Sequence, residues 1–245
     1  LLGWSYTHKG TYYGDDNARS ILGSLAASAI MKNTSWDKQM VECIIGNFRT
    51  TGKNGFRGGN ILDSDLQKNG WRNYFNSDLV NLHPHFESWN WACYLWLYDQ
   101  TKYQPLFDRV KKGVSLMMAG YPNDWNWTNG IQQERARMIL PLAWLYRVEP
   151  IEQHKQWLQF MTEELLKNQV ACGGIREELG NEAKSMFGCT SSNDAYGRTE
   201  ASLIFKNGDP VADMLYTTNF AFVGLCEAAM ATQDSVYLKA VNQMR

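Results

Sequence analysis

The sequence predicts an all-α fold built from antiparallel helical hairpins, and three observations carry that prediction. Apolar residues recur at helical spacing in eight separate stretches. Connections alternate between about 2 to 5 residues and about 11 to nearly 50, and a short connection forces two helices to run antiparallel as neighbours. No long run shows the strict alternation and β-branched enrichment of a strand, although residues 169–216 leave room for a short hairpin.

The first helix, 14–31, shows Ile21, Leu22, Leu25, Ala26 and Ala29 on one stripe, and Asn33-Thr34-Ser35 breaks it. Ser35 is placed to cap the second helix, 36–49, which carries Met40, Val41, Ile44, Ile45 and Phe48 and ends at the glycine-rich segment 52–59. The unit recurs as helices 86–101 and 105–119, followed by a loop at 120–127. A third pair, 131–147 and 151–168, hinges at Glu149-Pro150, where proline suits a first helical turn. The fourth pair, 217–232 and 235–245, hinges at Thr232-Gln233-Asp234-Ser235. Short turns then sit at one end of the stack and long loops at the other. Every odd-numbered helix starts at the long-loop end, which gathers segments 12–19, 83–91, 132–137 and 216–219 on one face.

Those starts are rich in charged and aromatic groups. They read Tyr12-Tyr13-Gly14-Asp15-Asp16-Asn17-Ala18-Arg19, His83-Pro84-His85-Phe86-Glu87-Ser88-Trp89-Asn90-Trp91 and Gln132-Gln133-Glu134-Arg135-Ala136-Arg137. Such a rim suits a hydroxyl-rich ligand.

Composition narrows the alternatives. The 245 residues are 44% hydrophobic, enough for a substantial core, and residues 1–245 read as one domain, expected to be a fragment of a longer chain. Lys plus Arg (24) nearly cancels Asp plus Glu (25) with no basic run, so nucleic acid is not an expected partner. No stretch reaches the roughly 18 to 20 apolar residues of a membrane span, and no membrane partner is expected. The five cysteines lack CxxC spacing and read as free thiols. They do not settle the compartment; a periplasmic or extracellular setting is slightly preferred to the cytoplasm. Sequons at Asn33 and Asn126 matter only where glycosylation occurs.

Serial α-hairpins with polar long-loop ends resemble the (α/α)6 toroids called six-hairpin glycosidases. The likeness is carried by Tyr13-Gly14-Asp15-Asp16-Asn17-Ala18-Arg19, by Pro84-His85-Phe86 with Trp89 and Trp91, and by Glu134-Arg135-Ala136-Arg137-Met138 with Leu140-Pro141-Leu142-Ala143. Asn207-Gly208-Asp209-Pro210, leading to Tyr216-Thr217-Thr218-Asn219-Phe220, adds to it. The resemblance covers most of the chain and implies a carbohydrate-active enzyme acting on an oligo- or polysaccharide, first of all a glycoside hydrolase. Polysaccharide lyases and sugar epimerases share the fold, and a noncatalytic glycan-binding module is the alternative outside enzymes. Six hairpins close such a ring and four are read here, so another part of the same chain or another domain is expected to complete it.

Glycoside hydrolysis uses two carboxyl groups, one protonating the leaving oxygen and one acting as base or nucleophile. Asp16 and Glu134 are the first pair, and Glu177, beside Glu178 in the longest loop, is the third catalytic candidate. Adjacent helical residues point about 100° apart, so of Asp15 and Asp16 one faces the ligand while the other serves the helix terminus. Glu134 heads an apolar stripe through Met138, Leu142 and Leu145 and must be paired, hydrogen-bonded or protonated; Arg135, Arg137 or Arg19 could pair with it. Candidate sugar-binding groups are Tyr13, Asp15, Arg19, His85, Glu87, Trp89, Trp125, Trp127, Arg135, Arg198, Glu200 and Asn219. Flat indoles suit the apolar face of a pyranose while their N–H still donates. The series His83-x-His85-x-Glu87 is a weak metal pattern, because Pro84 keeps His83 extended and no further ligand set has metal spacing. No metal and no cofactor is expected. Serine-esterase, nucleotide-loop and zincin motifs do not occur.

Overall fold

The computed structural model describes residues 5–6, 10–178, 181–186 and 214–245. The chain divides into two compact units, residues 1–81 with 86–119 and residues 82–85 with 120–245.

The first unit opens on a small antiparallel sheet of three strands, β1 (Ser5–Tyr6), β2 (Thr11–Tyr13) and β3 (Asn60–Leu62), with Tyr6 opposite Thr11 and Tyr12 opposite Ile61. Strand β2 runs directly into helix α1 (Gly14–Met31), and α2 (Asp37–Arg49) packs against α1. The turn between them is set by Asn33, whose Oδ1 accepts the Ser35 N–H at 3.0 Å, a local turn that asparagine forms readily. Trp36 occupies the cap position with no side-chain bond, so the expectation that Ser35 caps this helix is not met. Residues 50–83, read as loop, contain β3 and two short helices, α3 (Asp63–Asn69) and α4 (Trp71–Phe75).

Helices α5 (Pro84–Thr101) and α6 (Gln104–Gly120) follow. The glycine-rich loop reaches both helices for steric reasons. A Cβ on Gly55, whose φ is +86°, would overlap the Arg109 carbonyl, and one on Gly113 would meet Trp91 Cζ2 at 2.8 Å. The close approach lets Trp91 Nε1 donate to Gly55 O at 2.7 Å and brings Phe56 edge-on to Trp91 at 5.6 Å. Phe48 packs edge-on against Tyr94 at 5.4 Å in the same core.

The second unit is organised around α7 (Ile131–Val148), buried along nearly its whole length, as expected of a helix without one dominant polar face. Helices α8 (Glu152–Leu166) and α9 (Asn219–Thr232) pack on it. Gly224 is the point of closest approach, since a Cβ there would stand 2.8 Å from Ile139 Cβ. Helix α10 (Ser235–Gln243) folds back on α9 and is capped by Asp234, whose Oδ1 accepts the Val236 N–H at 2.9 Å. Pro150 precedes α8 behind Ile151 instead of occupying its first turn. A single-turn π-helix (Met214–Thr218) leads into α9, and a 3-10 turn spans Glu182–Lys184. Among the described residues of 169–216, strand-like pairing is limited to two isolated bridges, Gln169 with Ile175 and Ser185 with Trp127.

All eight predicted helices are present within a few residues of their expected limits, and helix dominates the chain. No helix among the described residues is long and apolar enough to cross a membrane.

Candidate active site

In the first unit the starts of α1 and α5 meet. A Cβ on Gly14 would lie 2.7 Å from Arg57 Nη1 and 3.0 Å from Asn90 Nδ2, so glycine at the head of α1 is what permits this approach. Tyr13 packs edge-on against Phe86 at 5.8 Å. The next two residues carry the carboxylates. Asp15 is 1% exposed, whereas the Asp16 side chain retains 28% of its exposure. Both stand in the first turn of α1, whose cap position is held by Tyr13 without a side-chain bond, and Asn17 Nδ2 reaches back to Tyr13 O at 2.9 Å. Both aspartates converge on one guanidinium nitrogen. Arg19 Nη2 lies 3.0 Å from Asp15 Oδ2 and also bonds Asp16 Oδ1, which the i+3 and i+4 spacing places within reach.

Below this pair, Glu87 holds the glycine-rich loop. Its carboxylate accepts the N–H of Arg57 and of Gly58, each at 2.8 Å, and the Asn81 amide at 2.9 Å. Burial pushes the Glu87 carboxyl up, against the opposing pull of those donors and of the Arg57 charge, and the result stays above the ordinary value of 4.5. Arg57 donates to Thr50 Oγ1 at 3.0 Å and to Gly59 O at 3.3 Å. Glu87, a predicted sugar ligand, is thus committed to holding the backbone. Trp89 is buried at 8% exposure.

In the second unit the start of α7 meets the residues that lead into α5. Glu134 is fully buried; its Oε1 accepts the Thr128 N–H at 3.0 Å and lies 3.5 Å from His83 Nε2, which is 3.1 Å from Thr128 Oγ1. The His83 and His85 rings are 5.9 Å apart. Burial pushes the Glu134 carboxyl up, but the His83 hydrogen bond and the charges of His83, His85 and Arg137 together outweigh it and hold the group below 4.5. The partners differ from the expected arginine pairing, with histidine foremost. The His83-x-His85-x-Glu87 series is divided in the same way, His83 turning to Glu134 and Thr128 and Glu87 to the amides at 57 and 58.

Glu177 serves the α7 terminus from a distance. It accepts the Gln132 N–H at 2.8 Å, its neighbour's N–H at 2.9 Å and the Thr217 hydroxyl at 2.9 Å, and it occupies the space a Cβ on Gly130 would need. Arg135 bonds Glu178 Oε2 at 2.6 Å and the Tyr121 hydroxyl at 2.7 Å, with Glu164 at 3.7 Å. Burial lowers its guanidinium, yet Tyr121 and Glu178 more than compensate and raise it. Trp125, 0% exposed, stands edge-on to Tyr121 at 4.8 Å, and Trp127 is 3% exposed, so neither ring presents an open platform. Asn219 is exposed at the first position of α9. Arg198 and Glu200 lie outside the described residues.

Sequence reasoning passed over four groups that the structure brings to these places: Asn90, Arg57, Thr128 and Gln133. Asn90 and Gln133 lay inside the quoted clusters, and Gly14 was the available hint that something presses on the head of α1. Arg57 and Thr128 sit in loops, where spacing carries no directional signal.

No family model matches this sequence, and no sequence among curated proteins matches it. Similarity is found in solved structures. The GH76A alpha-1,6-mannanase from Salegentibacter sp. HEL1_6 superposes with a TM-score of 0.54 at 12% identity, covering 99% of this chain. Inactive variants of that enzyme, in which two consecutive aspartates are replaced, superpose equally: the asparagine form with alpha-1,6-mannotriose at 0.54 and the alanine form with alpha-1,6-mannotetrose at 0.53, each at 11% identity. The present chain spans 64% of the length of the mannanase. The likeness shows the fold, an all-α toroid, and bears out the fold class predicted from the hairpins.

Proposed function

We propose that this protein is a glycoside hydrolase whose reacting carboxylates are the adjacent Asp15 and Asp16 at the head of α1. One observation carries the reading: the fold is shared with a mannanase that is inactive when two consecutive aspartates are replaced, and this chain sets two consecutive aspartates on one arginine.

The two side chains divide the labour by accessibility. Asp16, the partly exposed one, exchanges protons with water and serves as acid and then base. Asp15, buried and beside Arg19, attacks the anomeric carbon. Two oxygens bonded to one nitrogen stand no more than about 6 Å apart, nearer the roughly 5 to 5.5 Å of retaining enzymes than the roughly 6.5 to 9.5 Å of inverting ones. In the first step the Asp16 proton passes to the leaving oxygen as the Asp15 oxygen bonds the anomeric carbon. In the second, water gives its proton to Asp16 and displaces Asp15, releasing a sugar of retained configuration. The pairing of Asp16 with its neighbour replaces the pairing with Glu134 expected from sequence, since Glu134 is held ionised and bonded within the second unit.

A panel of neutral oligosaccharides that includes alpha-1,6-mannotriose tests the reading. Turnover is expected in the wild type, a loss of about a thousandfold or more in both Asp15→Asn and Asp16→Asn, and the retained anomer as first product by NMR. Turnover that survives both substitutions refutes it.

A further inference from the structure

The segment from Trp127 to Glu134 buries more hydrogen-bonding capacity than the protein uses. Five side-chain atoms there are buried without a partner: Trp127 Nε1, Asn129 Oδ1, Gln132 Oε1, Gln133 Oε1 and Glu134 Oε2. Buried polar atoms in native proteins are nearly always satisfied, so five orphans within eight consecutive residues call for a common explanation. Their positions are fixed by neighbours. Thr128 N–H and His83 hold the other oxygen of Glu134, and Ser185 Oγ donates to the carbonyls of Thr128 and Asn129 at 3.2 and 3.0 Å.

The chemistry of the set defines what would satisfy it. Four of the five atoms are acceptors, one of them a carboxylate oxygen, and the fifth is an N–H donor. A phosphate, sulfate or uronate would set its negative oxygens against those acceptors. A cation would meet the indole N–H and a carboxylate already compensated by His83, His85 and Arg137. A neutral polyol offers what is missing, several O–H donors and an oxygen that accepts from one N–H.

We infer that the start of α7 in the second unit is a binding subsite for a neutral, hydroxyl-rich ligand, with Glu134 Oε2 and Gln133 Oε1 accepting its hydroxyls and Trp127 Nε1 donating to it. The inference rests on the carbohydrate reading above and changes the role of Glu134 from a reacting carboxylate to a ligand-binding one.

Binding is measured apart from turnover, by calorimetry of alpha-1,6-mannotriose and a panel of other neutral oligosaccharides against the Asp16→Asn protein. Adding Glu134→Gln or Gln133→Met is expected to weaken binding by about 10- to 100-fold, as loss of one buried hydrogen bond to a ligand hydroxyl does. Gln133→Met keeps the side-chain volume and introduces no charge, so it decides the matter if the Glu134 variant does not fold. A purely structural role would lower thermal stability and leave affinity within twofold, and that result overturns the inference, as does binding that requires a divalent cation or a protein that binds none of the panel. Glycan turnover with unchanged affinity in the variants defeats the subsite alone. Weakened affinity in the variants, with turnover surviving Asp16→Asn, defeats the assignment of Asp16 alone.

Discussion

Replacing Glu87 by glutamine isolates the most heavily bonded carboxylate of the first unit without opening a cavity. In the wild type the two carboxylate oxygens accept three donors, the amides of Arg57 and Gly58 and the side chain of Asn81. Glutamine keeps one acceptor oxygen and turns an NH2 group toward at least one buried N–H, which then has no acceptor. Each buried donor so stranded costs about 1 to 3 kcal/mol, and the buried Arg57 also loses a compensating charge. Against this, the amide avoids burying a charge whose desolvation is what raises the Glu87 carboxyl. The balance is a loss of about 2 to 3 kcal/mol. In a chain of this size that lowers the midpoint by about 4 to 12 °C in a thermal melt. The pH dependence has a definite sign. Because the folded value lies above 4.5, the folded protein binds this proton more readily than the unfolded chain, so the penalty of the charged form is present above the folded value and is relieved as pH falls through it. Glutamine does not titrate, and the margin of the wild type over the variant therefore widens on acidification. A midpoint equal to or above that of the wild type, or a margin that narrows as pH falls, refutes the assignment of Glu87 as the holder of the glycine-rich loop.

Two further predictions concern the second unit. Gly130→Ala displaces the Glu177 carboxylate from Gln132 N–H and Thr217 Oγ1 and should cost about 2 to 4 kcal/mol; in a double-mutant cycle the penalty should shrink by more than half once Glu177 is alanine, and additive losses would contradict the contact. Glu134→Gln should flatten the acid limb of the stability profile. The Glu134 carboxyl is held below 4.5, so its contribution is complete above that value and is lost as pH falls through the folded one, and a wild type and variant that lose stability in parallel below pH 4.5 would exclude it.

The hairpins were legible because helix spacing and connection length are both local in sequence. Where a fold depends on which loop touches which helix, local reading has less to offer. The strands β1 to β3 are two or three residues long, too short for alternation to register, and the pairing of β2 with β3 joins residues about fifty positions apart. Capping was misread at Ser35 for a related reason: Asn33, two residues earlier, competes for the same turn with a side chain that reaches the Ser35 amide. Both errors concern the detail of connections, and neither disturbs the stacking of hairpins.

The candidate site shows the same division, with a consequence for mechanism. Residue type marks the charged helix starts, and the structure brings α1 to α5 in one unit and α7 to the His83 segment in the other. Partner choice was not legible, because a carboxylate at a helix start has the same appearance whether it meets an amide, an arginine or a histidine. The structure separates the five carboxylates by what they hold. Glu87 and Glu177 bond backbone amides with both oxygens or with neighbouring donors, and Glu134 keeps one oxygen in reserve. Asp15 and Asp16 share the guanidinium of a partly exposed arginine on the same helix. A carboxylate that must lose and regain a proton during turnover needs a partner able to move. On that criterion the proposed chemistry falls to the head of α1, while Glu87 and Glu177 hold backbone amides, each within its own unit.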